Sequence, residues 1–331
     1  MIALTGITSG VGRRLAEVAI ERGHQVRGLV RDVGRDDARA LETLGVQLIP
    51  GDVNDQAALE RLCSGVDAVV HMAAHVGDWG AREVFERVNV EGTRATVEAA
   101  ARARVKRFVQ LSSVAVYGRV ERGRITEEWP TRKNGVPYDD TKVEAERIAM
   151  SRGAELGLEV AAVRPPVIYG PYDRNFLPRM IDTLRARRFS YIDGGTGRFN
   201  LVWVDHVVDV LLLCTERREA VGEAFNVMDT VRDKPPTVRE LVERVSDATG
   251  IAYPKLSLPR PVVLGLARVA EWAFKRAGAD HPPPITPFVV YLTTLDVIYD
   301  SSKAVEKLGW EPRMHPLDGI ERQARALIGA S

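Results

Sequence analysis

The stretch Thr5-Gly6-Ile7-Thr8-Ser9-Gly10-Val11-Gly12 follows an apolar run directly and opens a helical pattern. Glycine at such a turn lets the chain fold tightly and lets its backbone approach a pyrophosphate closely. The helix N-terminus then supplies N–H donors and a partial positive charge. First strand, first turn and first helix is the position that a dinucleotide-binding turn occupies.

Outward from the turn, short apolar runs alternate with helical spacing. The runs 1–4, 25–30, 46–49, 68–72, 107–111 and 159–163 read as buried strands. Helical patterns lie between them: Leu15, Val18 and Ala19 ending at Gly23, then 57–63, 84–102 and 138–156. Near-continuous apolar strands separated by helices predict an α/β fold, a doubly wound parallel sheet of Rossmann type covered on both faces. Ligands bind such sheets at the carboxyl ends of the strands.

The alternation weakens after about Tyr169. Asp193-Gly-Gly-Thr-Gly-Arg, an apolar segment at 201–213, a helical pattern at 238–249 and proline punctuation follow. The sequence therefore predicts a dinucleotide-binding domain at 1–168 and a smaller C-terminal α/β substrate lobe at 169–331, interleaved with the first. Internal repeats and low-complexity segments are absent.

The 331 residues carry 46 Lys plus Arg against 45 Asp plus Glu, a net charge of +1. No global field exists to hold nucleic acid or an acidic membrane. Cys63 and Cys214 are the two cysteines. They lack metal spacing, so neither a zinc site nor a disulfide framework is expected. No run approaches the roughly 18 apolar residues of a membrane span, and no signal peptide is visible. The expectation is a cytoplasmic protein with a small-molecule substrate, no metal, no nucleic acid and no integral membrane span.

The second strand ends Gly28-Leu29-Val30-Arg31-Asp32. An acidic residue here would bind the ribose hydroxyls of NAD, whereas an arginine can hold the 2′-phosphate of NADP. Arg31 comes first and Arg35 lies close by, which favours NADP. Asp32 is the competitor that would select NAD. The third strand ends Pro50-Gly51-Asp52-Val53, which places a carboxylate near an adenine amino group.

Tyr138-Asp-Asp-Thr-Lys142 begins a helix. A spacing of four sets both side chains on one face. A phenol with a pKa near 10 is a poor acid–base at neutral pH. A fixed ammonium beside it, with a cationic nicotinamide, would stabilise the phenolate. Ser113 follows the strand Phe108-Val-Gln-Leu111, where a hydroxyl can hold a substrate oxygen beside the tyrosine.

These segments together resemble the extended short-chain dehydrogenase/reductase family. Gly51-Asp52-Val53, Val70-His71-Met72-Ala73-Ala74, Asn89-Val-Glu-Gly92-Thr93 and Ser112-Ser113-Val-Ala-Val-Tyr-Gly carry the resemblance. So do Arg164-Pro165-Pro166-Val-Ile-Tyr-Gly170-Pro171 and Leu308-Gly309-Trp310-Glu-Pro312. The resemblance implies Ser113, Tyr138 and Lys142 as a catalytic triad. It implies Gly6, Gly10 and Gly12, with Ser9 and Val11 between them, at the pyrophosphate. Asp52 and Val53 would flank the adenine, and Ala73, Ala74, Pro165 and Val167 the nicotinamide side. Asn89 would brace the sheet behind the site. The glycine turn departs from the extended pattern: Ser9 stands at the middle glycine position and Gly10 follows. His206 stands where members usually have Asp or Asn, and no role is assigned to it.

Dehydratases of the family carry an Asp-Glu pair after the catalytic hydroxyl. Ser113 is followed by Val114 and Ala115, which leaves no carboxylate for elimination. Ala73-Ala-His-Val-Gly77-Asp-Trp79-Gly80 and the apolar helix pattern at 261–274 resemble the 3β-hydroxysteroid dehydrogenase-like branch, where such segments cover an apolar substrate. The expectation is an NAD(P)-dependent oxidoreductase acting on a secondary alcohol or ketone of a bulky apolar substrate, of 3β-hydroxysteroid or 3-oxo/3-hydroxy acid type. The alternatives are a nucleotide-sugar epimerase with tightly bound NAD, for which Arg174, Arg179, Arg185 and Arg198 are candidate diphosphate ligands, and a non-catalytic NAD(P)-sensing protein. The family often dimerises through first-lobe helices, so a homodimer is a further expectation.

Overall fold

The computed structural model describes residues 1–329. Its centre is a parallel sheet of β1 (Ile2–Thr5), β2 (Val26–Val30), β3 (Gln47–Pro50), β4 (Ala68–His71) and β5 (Arg107–Leu111), joined by Glu159–Arg164 and Ala224–Asn226. The order across the sheet is Ala224–Asn226, Glu159–Arg164, β5, β4, β1, β2, β3. Strand order therefore reverses between β1 and β4, which opens a crevice at their carboxyl ends.

Every residue of β1 and β4 is buried, because helices cover both faces of the sheet. Successive side chains point to opposite faces. Leu4, Val70, Val109 and Val163 pack with Leu15 of α1 (Gly10–Glu21) and with Val207 and Leu211 of the helix Val204–Glu216. Their neighbours Ala3, Val69, Phe108 and Val160 pack on the other face with Leu59, Leu62, Val97 and Ala149. That continuous double burial is why these strands read as unbroken apolar runs.

Segments beyond Tyr169 join and cover the central sheet and also build an apolar core of their own. The apolar segment at 201–213 divides into the strand Leu201–Trp203, paired with Val167–Tyr169, and the helix that covers the sheet. Arg122–Ile125 pairs with the distant Asp296–Tyr299. That further core gathers Tyr169, Leu177, Ile181, Phe199, Trp203, Leu241, Val245 and Ile320. Its helix Val238–Thr249 opens on a capping box between Thr237 and Glu240 and stops at Gly250.

One departure from regular helix bears on the site. The helical pattern at 84–102 runs through a π-helical stretch, Glu86–Glu91, before Gly92–Arg102. Such widened turns re-aim side chains and occur often at functional sites. Here the stretch contains Asn89.

Candidate active site

The glycine turn is built for close approach. Gly6 has φ +68°, and a Cβ there would lie 2.7 Å from the Ala73 nitrogen. A Cβ on Gly12 would lie 2.3 Å from the Gly6 carbonyl oxygen. Ser9 caps α1: its Oγ accepts from the Gly12 N–H at 3.0 Å. The hydroxyl is thus engaged by the chain itself rather than simply replacing a glycine. The Gly10 and Val11 amides find no partner among the described residues. Two free N–H groups at a helix N-terminus fit a pyrophosphate.

At the end of β2, Arg31 is exposed and has no ion pair among the described residues. Asp32 Oδ1 accepts from the Gly34 N–H at 2.8 Å, so this carboxylate closes its own turn. Arg35 pairs with Asp37 at 2.9 Å. At the end of β3, Asp52 Oδ1 accepts from the Asn54 N–H at 3.1 Å. Val53 is buried, and its side chain fills the space beside Gly92.

Ser113, Tyr138 and Lys142 belong to the carboxyl-end side of the sheet. Ser113 leads from β5 into a short turn of helix, and its Oγ accepts from the Ala115 N–H at 3.1 Å. The helix Pro137–Arg147 carries both Tyr138 and Lys142. Lys142 is buried and donates from Nζ to the Leu111 carbonyl at 2.7 Å. Burial lowers its pKa to about 8, against an upward pull from Glu146. Removal from water pushes the Tyr138 phenol up to about 12, while the Ser113 hydroxyl beside it acts in the opposite direction. Asp139 adds a smaller upward push.

The remaining sequence candidates line the same edge. Ala73 follows β4, and its N–H donates to Thr5 Oγ1 at 3.2 Å. Ala74 is the next residue, half-buried like Ala73. The Pro165 carbonyl accepts from the Val114 N–H at 3.1 Å, which ties the strand end to the serine turn. Val167 pairs with Leu201.

Much of what fixes these groups is buried polar structure that short motifs do not reveal. His71 is fully buried between Thr5 Oγ1 at 2.8 Å and Thr93 Oγ1 at 3.1 Å. Burial lowers its pKa to about 3, so the ring is neutral. Arg164 is clamped by Glu146 at 2.5 and 2.9 Å and donates to the Tyr117 hydroxyl at 2.8 Å. That hydroxyl donates to Asn226 Oδ1 at 2.7 Å. This network ties the far end of the Tyr138 helix to the sheet. Glu146 sits four residues after Lys142, a helical spacing that marks it in retrospect. Nothing local marks Asn226. His206 is structural: its Nδ1 lies 2.7 Å from Asp229 Oδ1, and its Nε2 accepts from the Arg313 N–H at 2.9 Å.

Comparison with known proteins shows the family of the chain. Residues 2–227 match the NAD dependent epimerase/dehydratase family. The chain belongs to that family. This family member is similar to the 4-hydroxy-2-methyl-3-oxo-4-farnesyl-3,4-dihydroquinoline-1-oxide ketoreductase of Stigmatella aurantiaca, 29% identical over 98% of this chain and 95% of that protein. It is also similar to sterol demethylase protein B of Methylococcus capsulatus, 29% identical over 93% of each. Among solved structures, MoeE5 in complex with UDP-glucose and NAD superposes with a TM-score of 0.76 at 25% identity, covering 100% of this chain and 99% of that one. As an epimerase/dehydratase-family protein of extended short-chain type, the chain is an NAD-dependent enzyme with a Rossmann fold.

Proposed function

We propose that the protein is an NAD(P)-dependent dehydrogenase/reductase that interconverts a secondary alcohol and a ketone on a bulky apolar substrate. The observation that carries this reading is the grouping of Ser113, Tyr138 and a buried Lys142 at the carboxyl end of β5. The bound nicotinamide would supply or take up the hydride at the carbonyl carbon. Gly10 and Val11 would hold its pyrophosphate through their free amides. Tyr138 would give its hydroxyl proton to the carbonyl oxygen, which the Ser113 hydroxyl holds in place. Lys142 has two N–H bonds beyond the one to Leu111. They are available to the cofactor ribose and to the phenol, whose pKa the ammonium then draws down.

Arg31 and Asp32 support a preference for NADP. The arginine is free to meet a 2′-phosphate, and the aspartate is turned into its own loop.

Two observations favour the apolar substrate over a nucleotide sugar. Arg198 spends its guanidinium on the Pro235 carbonyl at 2.9 Å and lies 4.0 Å from Glu240. Arg174, Arg179 and Arg185 are exposed. Two similar proteins also bear names for a farnesylated quinoline and a sterol.

The test is a panel on purified protein: NADP and NAD in both redox states with a steroid alcohol and ketone, a 3-hydroxy and a 3-oxo long-chain acid, and a nucleotide sugar. Net nicotinamide conversion with an apolar substrate is the expected result. Tyr138→Phe should abolish it while leaving cofactor affinity near wild type. Isomerised sugar without net absorbance change would replace this reading with the epimerase one.

A further inference from the structure

The helix Arg260–Arg276 is packed on one face only. Its inner stripe, Val263 and Ala267, is buried with Ile192 and Val290. Its outer stripe is apolar and open to solvent. Val262 is 51% exposed, Leu266 60%, Val269 65% and Trp272 68%. These four stand at helical spacing on one side, in a row of about three turns. Side chains of this size are ordinarily turned inward, and single exceptions need no explanation. Four in register form a patch that does.

The charge around the stripe selects its partner. The helix carries Arg260, Arg268, Lys275 and Arg276 against one carboxylate, Glu271, and Arg260 pairs with Glu121 at 2.6 Å. Glu271 is half-buried and pairs with Lys275 at 2.5 Å. Arg268 and Arg276 are exposed without an ion pair among the described residues. No acidic residue lies within the stripe. A second copy of this chain docking by two-fold symmetry would bring these cations against their own images. An anionic lipid surface would receive both features: acyl chains take the stripe, and headgroups take the arginines. Trp272, apolar with one polar N–H, suits the boundary between them. The helix has 17 residues, and none of the described helices is long and apolar enough to cross a membrane.

The same helix and the segment after it pack against the loop that leaves β4. Just beyond its end, the Ala279 carbonyl accepts from Trp79 Nε1 at 3.0 Å. Lys275 Nζ lies 5.7 Å from the centre of the Trp79 ring. Thr286 donates to Asp78 Oδ2 at 2.6 Å. Asp78 and Trp79 belong to the loop that leaves β4 past Ala73 and Ala74.

We infer that Arg260–Arg276 is an interfacial helix that seats the protein on anionic membranes, its apolar stripe in the lipid and its cleft beside the bilayer surface. An apolar substrate would then pass from the membrane to the site without crossing water. This consequence rests on the function proposed above, whereas the docking itself does not.

The experiment is vesicle flotation of the purified full-length protein without substrate, so that its outcome is independent of the proposed reaction. Phosphatidylcholine vesicles are compared with vesicles containing about one-third phosphatidylglycerol. Wild type should float with the anionic vesicles and lose much of that binding in 0.5 M salt, as the headgroup contribution is screened. The double variant Leu266→Glu, Val269→Glu should lose at least tenfold in partitioning. Arg268→Glu with Arg276→Glu should also lose the preference for the anionic lipid. All four positions are exposed, and unchanged thermal unfolding verifies folding. Trp272 fluorescence gives a second reading: a blue shift on vesicle addition that is missing in Trp272→Phe. Failure of wild type to float, or flotation unaffected by these variants, overturns the proposal. So does a wild-type dimer that does not float and that Leu266→Glu dissociates.

Discussion

Asn89 Nδ2 donates to Thr141 Oγ1 at 3.0 Å, inside the turn between Tyr138 and Lys142. The same amide holds the loop after β4: Oδ1 accepts from the His75 N–H at 2.7 Å, and Nδ2 donates to the His75 carbonyl at 3.1 Å. One buried side chain thus sets the spacing between the Ala73–Ala74 edge and the helix of the tyrosine. Asn89→Leu fills the space but leaves those partners unsatisfied, at about 1–3 kcal/mol. The expected result is a lower Tm and a kcat reduced about tenfold to a hundredfold, since small misplacements of reacting groups are costly. Asn89 is a positioning residue, so KM should move much less than kcat. Equal changes in both would contradict this role.

Arg31 has the opposite character: exposed, unpaired and free to be removed without structural cost. Arg31→Ala should leave the unfolding free energy within about 0.5 kcal/mol of wild type, as expected at an exposed site. Its KM for NADP should rise about tenfold or more, with the KM for NAD little changed. Bidentate contacts of arginine to phosphate are of that strength. An NADP preference that survives the substitution would assign the 2′-phosphate elsewhere.

These two residues mark how far sequence reading reaches. The place of Arg31 was legible because the end of the second strand is a fixed address in a doubly wound sheet, and the strand runs are apolar from end to end. Asn89 was legible only through resemblance, since no local pattern states that a π-helical turn will aim it at Thr141 and His75. The helix Asp36–Thr43 went unread because only Ala38 and Leu41 of its eight residues are buried. The network of Glu146, Arg164, Tyr117 and Asn226 joins positions up to 109 residues apart. Only tertiary pairing brings it together. Spacing places Lys142 and Tyr138 on one helix face, whereas the desolvation of the phenol is a property of the folded surroundings that no local pattern states.

Lys142 allows a test of that burial. Its pKa falls from 10.5 in the open chain to about 8 in the folded one. Below about pH 8 the group is charged in both states, and the folded state bears the full cost of burying the charge. Between about pH 8 and 10.5 the unfolded chain holds a proton that the folded one has released. Stability therefore rises with pH across this window. The cost at neutral pH is on the order of 3 kcal/mol. Lys142→Met removes the charge and keeps the volume, while it leaves the Leu111 carbonyl unpaired at about 1 kcal/mol. The variant should be inactive yet more stable than wild type at pH 7, by about 1–2 kcal/mol. Denaturant unfolding of both proteins at pH 7 and pH 10 checks this, because the gap should close or reverse at the higher pH. A gap that does not change with pH would mean that the ammonium is solvated in the cleft rather than buried against β5.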